Sequence, residues 1–590
     1  MSRRACLGFA ALWAALAGCG SPAPATYVWV DVQARPAVRG VATLEVTVSD
    51  GGDRVTRTFG AGALALPSAF TVTPNAHGTL TVAGTAKDAA GLVVAAATAT
   101  VEVVAGGRAD TTVLLEPTDF QVNTTVAGSQ IVTDYDGGRA GRQLAAAADG
   151  SFAMIFENIG DLGRFDAMGR LFDPDGAPRQ NATSLSADDF ILNAGGTESV
   201  YFVAAAAAPA GGFLAIWVDA ALSTVNARRF DETGEGGTEL SVASLTVPAA
   251  GVPSAGAGAA AALRDGGFVV VFTQQRSATD STLELHARLL DATGAPRPNH
   301  TGSALAFPLG AATTHSRERP AVAAGADGAF LVAWLDANPA TADAAIVVQR
   351  FDQAGQAQGA EIIIQPLGTG LYSEAPNLAA TPDGYFVVFA DDPTAAGDTD
   401  IFVRFVATSG VAGVPAYRVT TSTTGDQTDP AVAAAPDGRA LVVWTDGQSR
   451  PEDTEPASIR GRLLQPLGLP LGADFAVNTT TTRNQILPSV AAAGHDAFVV
   501  AWEDYSAVGP DTDGSGIRAR FLYPDFAPTD GRLGAGCDPV ACQRGLVCLA
   551  RAAGAFCHQG CTSAQVGSAC ASGGMCADVS GAAGPACLFR

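Results

Sequence analysis

Seven times along this chain an apolar run of one pattern returns: Leu144–Asn158, Val203–Asp219, Ala261–Gln274, Pro320–Asp336, Pro376–Asp392, Pro430–Asp446 and Pro488–Asp504. The fourth copy reads Pro320-Ala-Val-Ala-Ala-Gly-Ala-Asp-Gly-Ala-Phe-Leu-Val-Ala-Trp-Leu-Asp336. Short runs of this kind, rich in Val and aromatic residues and bounded by Pro and Asp-Gly, predict buried strands. With Phe330 as a marker, the equivalents are Phe152, Phe213, Phe268, Phe386, Ala440 and Phe498. The interval is about 54 to 62 residues, of the order seen in propeller repeats. An aromatic residue follows four places on, at Phe156, Trp217, Phe272, Trp334, Trp444 and Trp502, with Phe389 one place early in the fifth copy. Positions i and i+4 share one face of a strand, so marker and aromatic are expected in the same layer between blades.

Each unit carries three further signals. Asp-Gly at Asp149, Asp265, Asp327, Asp383 and Asp437 predicts a tight hairpin into the marker strand. An arginine-bearing strand follows, as in Val347-Val-Gln-Arg350-Phe351, and ends in Asp-x-x-Gly turns at Asp173, Asp231, Asp291 and Asp352. A last short strand is clearest in Phe475-Ala-Val-Asn478-Thr479. Four strands per unit make a propeller blade. Phe120-Gln-Val-Asn123-Thr-Thr125 nearly copies Phe475–Thr480 yet precedes the first marker, while nothing like it follows Phe521. The early copy is therefore expected to complete the last blade, closing a seven-bladed ring over residues 119–528 and removing its edges.

Before the ring, residues 26–117 alternate with period two, as in Tyr27-Val-Trp-Val-Asp-Val-Gln33 and Ala42-Thr-Leu-Glu-Val-Thr-Val48. This predicts an N-terminal β-sandwich of immunoglobulin-like or transthyretin-like size. The fold class is thus all-β.

At the N-terminus, Arg3 and Arg4 precede an apolar stretch from Leu7 to Ala17 of signal-peptide length. Leu16-Ala17-Gly18-Cys19 resembles the lipobox of bacterial lipoproteins. The resemblance implies removal of residues 1–18, lipid attachment at Cys19 and a tether over 19–25. The Val-Ala-Trp-x-Asp repeat is similar to β-propeller repeats of surface lipoproteins from GC-rich Gram-negative bacteria. That likeness implies an exported protein of the outer membrane or cell surface, held by its acyl chains.

Composition narrows the partners. A formal charge of -23 and a pI near 4.5 argue against nucleic acid, whose phosphates need a basic face. Ten cysteines include eight in residues 533–590: Cys537, Cys542, Cys548, Cys557, Cys561, Cys570, Cys576 and Cys587. An even number in a small Gly-rich module of an exported chain predicts a disulfide framework, with connectivity open among about 105 pairings.

Candidate chemistry is sparse. Acids two places beyond the aromatic (Asp336, Asp446, Asp504) and arginines of the next strand (Arg350, Arg462, Arg520) are expected to pair as repeated framework contacts. Asp511-Thr-Asp513-Gly514 has the look of a weak calcium loop without the distal Glu of an EF-hand. Histidine spacing, P-loop and nucleophile-elbow patterns are missing from the sequence, so no catalytic residue is assigned. The reading is a membrane-anchored binding or scaffold protein with a protein or glycan ligand. The alternative is an extracellular hydrolase or lyase acting at the central channel.

Overall fold

The computed structural model describes residues 26–524 apart from short segments, the longer ones being 61–65, 133–141, 194–199, 247–257, 368–374 and 393–397. It also describes four short strands beyond residue 545. The expected signal sequence, Cys19 and the expected tether lie outside the described residues, as do the cysteine side chains of the C-terminal module. Every described element longer than a turn is a strand. The chain divides into two compact units, Met1–Glu116 and Pro117–Arg590.

The first unit has seven strands: β1 (Tyr27–Ala34), β2 (Thr43–Ser49), β3 (Arg54–Gly60), β4 (Ser68–Val72), β5 (Gly78–Lys87), β6 (Val93–Val103) and β7 (Arg108–Pro117). The two layers of the expected sandwich are the halves of one nearly closed sheet, ordered β3-β2-β5-β6-β7-β1-β4, in which β1 and β7 run parallel. Alternate residues such as Val28, Val30, Val32, Leu44, Val46 and Val82 fill a single core. Gly84 shows how closely the layers meet, since a Cβ there would stand 2.9 Å from Val113 of β7. Strand β3 has no counterpart in the sequence reading. It is an edge with Arg54 and Arg57 exposed, so it lacks the apolar alternation that marks the other strands.

The second unit is a seven-bladed propeller. Each blade is built on four antiparallel strands, here called A to D from the channel outward, and the first blade adds a short fifth strand, Ser129–Ile131, paired with the end of Phe152–Ile159. In blade four these are Ser316–Ala324, Phe330–Asn338, Asp343–Phe351 and Ile362–Leu367. The ring closes as the repeat of Phe120–Thr125 predicts. Phe120–Gln121 pairs with Gly516–Leu522, placing Gln121 opposite Arg518, so the earliest propeller strand completes blade seven. A–B hairpins and C–D turns lie at one end of the ring, and B–C loops at the other. The chain therefore enters before Phe120 and leaves after Leu522 at the same A–B end.

Marker and aromatic do share a layer. Phe330 and Trp334 pack on blade three, Phe213 and Trp217 on blade one, and Phe498 and Trp502 on blade six. Blade five corrects the reading by one place. Tyr385, Val387 and Phe389 occupy the face towards blade four, whereas Phe386 faces blade six. Its marker is Tyr385, four residues before Phe389.

A bulge accompanies each of the four propeller tryptophans. Strand A shifts register between Tyr201 and Ala204, Glu318 and Ala321, Thr428 and Ala431, and Ile486 and Ser489. Two residues then oppose one, and that one is Trp217, Trp334, Trp444 or Trp502. Phe202, Arg319, Asp429 and Leu487 take positive φ of 60°, 54°, 52° and 58° at these bulges. Such a bend draws strand A away from the indole. In blades one and three, where the aromatic is Phe156 or Phe272, the A–B pairing is regular.

Candidate functional site

The repeated acids and arginines are not paired with each other. Asp336 lies opposite Ala345, Asp446 opposite Ser458 and Asp504 opposite Gly516. Arg350, Arg462 and Arg520 stand four or five residues further along strand C, about 14 to 17 Å away at ~3.4 Å per residue. The expected pairs Asp336–Arg350, Asp446–Arg462 and Asp504–Arg520 are therefore corrected by strand register.

The arginines instead clamp backbone carbonyls. Arg462 donates from Nε to Gly472 O at 2.8 Å in its own blade and from Nη1 to Val419 O at 2.6 Å in the preceding one. Arg520 does the same to Pro117 O (2.9 Å) and Val477 O (2.8 Å). Arg288 joins Ala304 O to Val242 O, and Arg170 joins Ala187 O to Val122 O. In blade two the clamp is Arg228, to Gly237 O and Leu192 O, rather than Arg229. In blade four Gln349 holds the position, and Arg350 pairs with Asp327 at 2.6 Å. Each clamp satisfies carbonyls at two outer strands that no ladder reaches.

The acids anchor strand A from the B–C end. Asp504 accepts from Gln485 Nε2 at 3.0 Å, whose Oε1 accepts from Asn478 Nδ2 at 3.1 Å. Asn123, Gln130 and Asn158 repeat this chain between blades seven and one. Between blades three and four, Gly310 stands where the asparagine would be, and Arg317 fills the space, 2.7 Å from Glu361. There Asp336 accepts from His315 Nδ1 at 2.5 Å.

Asp511 and Asp513, the calcium candidates, hold the closing segment. Asp511 accepts from Asn123 Nδ2 at 2.6 Å, and Asp513 accepts from Gly128 N at 3.2 Å. Among the described residues no three His, Cys, Asp or Glu side chains gather as a metal site.

A second recurring device escaped the sequence reading. In Asp-Phe-x-Val/Leu-Asn, at Asp119, Asp189 and Asp474, the aspartate caps the backbone of the preceding blade. Asp119 accepts from Thr479 N (3.0 Å) and Thr480 N (2.9 Å), and Asp189 from Thr124 N (2.8 Å) and Thr125 N (2.7 Å). Asp474 accepts from Thr421 N at 2.9 Å. The recurrence of Asp before Phe120, Phe190 and Phe475 was the available signal.

At the B–C mouth of the channel, unlike polar groups converge, but most serve the ring. Arg142 spans from blade one to Gly258 O (3.5 Å) in blade three and Pro376 O (3.3 Å) near blade five. Thr445 Oγ1 accepts from the bulged Leu487 N at 2.9 Å, and Glu157 accepts from Val203 N. Glu503 is 1% exposed and accepts from Val132 N and from Tyr505 Oη at 2.6 Å. Burial pushes the Glu503 carboxyl up, against those donors, and it pushes the Tyr505 hydroxyl up as well.

Carboxyls raised by burial gather at this end of three adjacent blades: Asp391 and Asp400, Asp446 and Asp453, Glu503, Asp504 and Asp511. A carboxyl with a raised folded pKa penalises the native state once ionised. The penalty is full above that pKa and disappears as pH falls towards the unfolded value. Thermal unfolding of the propeller is therefore expected to shift upwards as pH is lowered from neutrality into the range just above the ordinary carboxylate values. A midpoint that falls over that range would contradict the assignment. Further acid reverses the trend through Asp119. Burial raises its pKa, but Arg518 and the Thr479 and Thr480 donors more than offset this, so its net shift is downward and its contribution is lost below 3.8.

The A–B mouth differs. A cavity of about 480 Å³ is lined by every blade, mainly by alanine, proline and glycine such as Ala147, Pro209, Ala326, Pro382, Ala435 and Gly494. Among the described residues Arg264 is its single charged side chain. The turn aspartates beside it face their own hairpins, with Asp149 accepting from Ser151 N and Asp437 from Arg439 N.

In the C-terminal module, Leu546–Arg551 pairs with Gly554–Gln559, and Met575–Ala577 with Ala586–Leu588. The register sets Cys548 opposite Cys557 and Cys576 opposite Cys587.

No protein-family model and no curated protein matches the chain. Solved structures resemble it distantly. An α-L-arabinofuranosidase from Fusarium graminearum is 14% identical, with 46% of this chain and 83% of that one covered and a TM-score of 0.33. A Hadza microbial sialidase is 10% identical over 85% and 92%, with a TM-score of 0.38. A polysaccharide lyase, an ulvan lyase, is 10% identical over 65% and 94%, with a TM-score of 0.36. At these identities and TM-scores the likenesses say nothing of what this chain does.

Proposed function

We propose that this chain is an envelope-anchored binding or scaffold protein, held by an acylated Cys19, that engages a protein or glycan ligand through the B–C end of its propeller. One observation carries the reading: the chain enters and leaves the ring at the A–B end, which leaves the B–C loops of all seven blades free of covalent junctions. The polar groups nearest the channel there are committed to backbone partners, as a rigid platform requires and a reaction centre does not. The eight C-terminal cysteines supply a disulfide framework beyond the ring.

A second reading has its own observation. Glu503 and Tyr505 form a carboxyl–phenol pair found in blade seven alone among the equivalent described positions. A buried carboxyl with a raised pKa is suited to accept the phenol proton, as a hydrolase with a tyrosine nucleophile needs. One assay separates the two. The Cys19→Ser chain is presented to a glycan array and incubated with purified surface polysaccharides. Retention on a glycan or protein target without new reducing ends or unsaturated uronates is expected. Product formation that Tyr505→Phe abolishes would replace the binding reading with the enzymatic one.

A further inference from the structure

The seven A–B turns offer a controlled comparison. Their second residues are Ala148, Pro209, Arg264, Ala326, Pro382, Pro436 and Gly494, all at the rim of one cavity. Six are small or imino residues, as a crowded ring of turns favours. Arg264 is the exception, and none of the described residues engages its side chain. It is exposed and has no hydrogen bond or ion pair among the described residues. The carboxylate next to it, Asp265, is already taken by Gly267 N and by Arg297. The arginines of strand C are all committed to carbonyls or carboxylates.

The rest of the lining sets the character of the ligand. Thr381 is the other polar side chain on the wall, and its hydroxyl is spent on Gly384, donating to the carbonyl at 3.2 Å and accepting from the N–H at 3.1 Å. Alanine, proline, glycine and Leu263 provide the remainder, with no further side-chain donor among the described residues. A volume of about 480 Å³ falls within the range of small-molecule sites, roughly 300 to 1,000 Å³. An apolar bowl with one unpaired cation at its rim matches a compact molecule with a hydrocarbon body and one anionic end.

We propose that the A–B mouth of the channel binds a small carboxylate with an apolar body, its carboxylate held by Arg264 and its hydrocarbon part against the alanine wall. This site is separate from the macromolecular ligand proposed for the B–C end, and either can fail without the other. The guanidinium offers a forked pair of donors to the carboxylate, and burial of the hydrocarbon part supplies the remaining affinity.

The test uses the full chain with Cys19→Ser, so that no attached acyl chain competes. Octanoate, octanol and acetate are titrated calorimetrically into the parent protein and into Arg264→Ala. One octanoate is expected per chain, at least ten times tighter than acetate. Arg264→Ala is expected to weaken octanoate about tenfold or more while leaving octanol unchanged. Arg264→Lys, which keeps the charge without the fork, is expected to fall between. Octanoate binding no tighter than acetate, or equal binding by Arg264→Ala, would overturn the proposal. The glycan assay above reads a different end of the ring, so its outcome does not decide this one.

Discussion

Asp119→Ala is expected to destabilise the propeller by about 3 to 5 kcal/mol, the cost of leaving one member of a buried ion pair alone. Asp119 has 2% of its side chain exposed and meets Arg518 Nη2 at 3.1 Å, with Arg518 itself 10% exposed. It also receives Thr479 N, Thr480 N and Thr480 Oγ1. Its loss strands one cation and three donors at the seam where the first propeller strand joins the last blade. Asp119→Asn keeps an acceptor for the threonines and is expected to cost less. Urea unfolding followed by the propeller transition measures both. The open seam also bares the strand C edge of blade seven, so Asp119→Ala is expected to associate during refolding. A loss below about 1 kcal/mol for Asp119→Ala would mean that the latch does not hold the ring.

Trp444→Ala is the second large effect, expected at about 3 to 5 kcal/mol. The indole is 1% exposed and packs with Phe386, Val403, Val442 and Leu464 between blades five and six. Its Nε1 has no hydrogen-bond partner, so the cost is packing alone. The comparison with Trp334 makes the prediction specific. Trp334 donates to Asp336 at 3.4 Å and lies under the Arg317 guanidinium, 5.3 Å from the ring centre. Phenylalanine restores most of the volume in both places, so Trp334→Phe is expected to cost more than Trp444→Phe. Equal losses would show that the polar contacts of Trp334 contribute nothing measurable. The bulge at Asp429 was made for an indole, so Trp444→Phe leaves a small gap there rather than a relaxed strand.

Sequence periodicity was enough for the architecture. Seven apolar runs at a regular interval imply seven like units, because each blade buries its faces only against copies of itself. The repeat of Phe120–Thr125 in Phe475–Thr480 was enough for closure, since a fourth strand missing from the last unit has to come from elsewhere in the chain. The alternation of residues 26–117 was legible for the same reason, apart from β3, an edge strand whose exposed arginines leave no apolar signature.

Pairing of side chains was decided only in three dimensions. Asp336 and Arg350 recur together in the repeat, yet antiparallel register places them at opposite ends of their strands. Blade five shifted its marker to Tyr385 because the face of a residue depends on register, and a step of one position reverses it. The latch at Asp119 joins residues 361 positions apart in the chain. Local pattern specifies which strands form and which faces they bury. Which acid meets which donor across a blade seam depends on register, bulges and ring closure, and these exist only once all seven blades have packed.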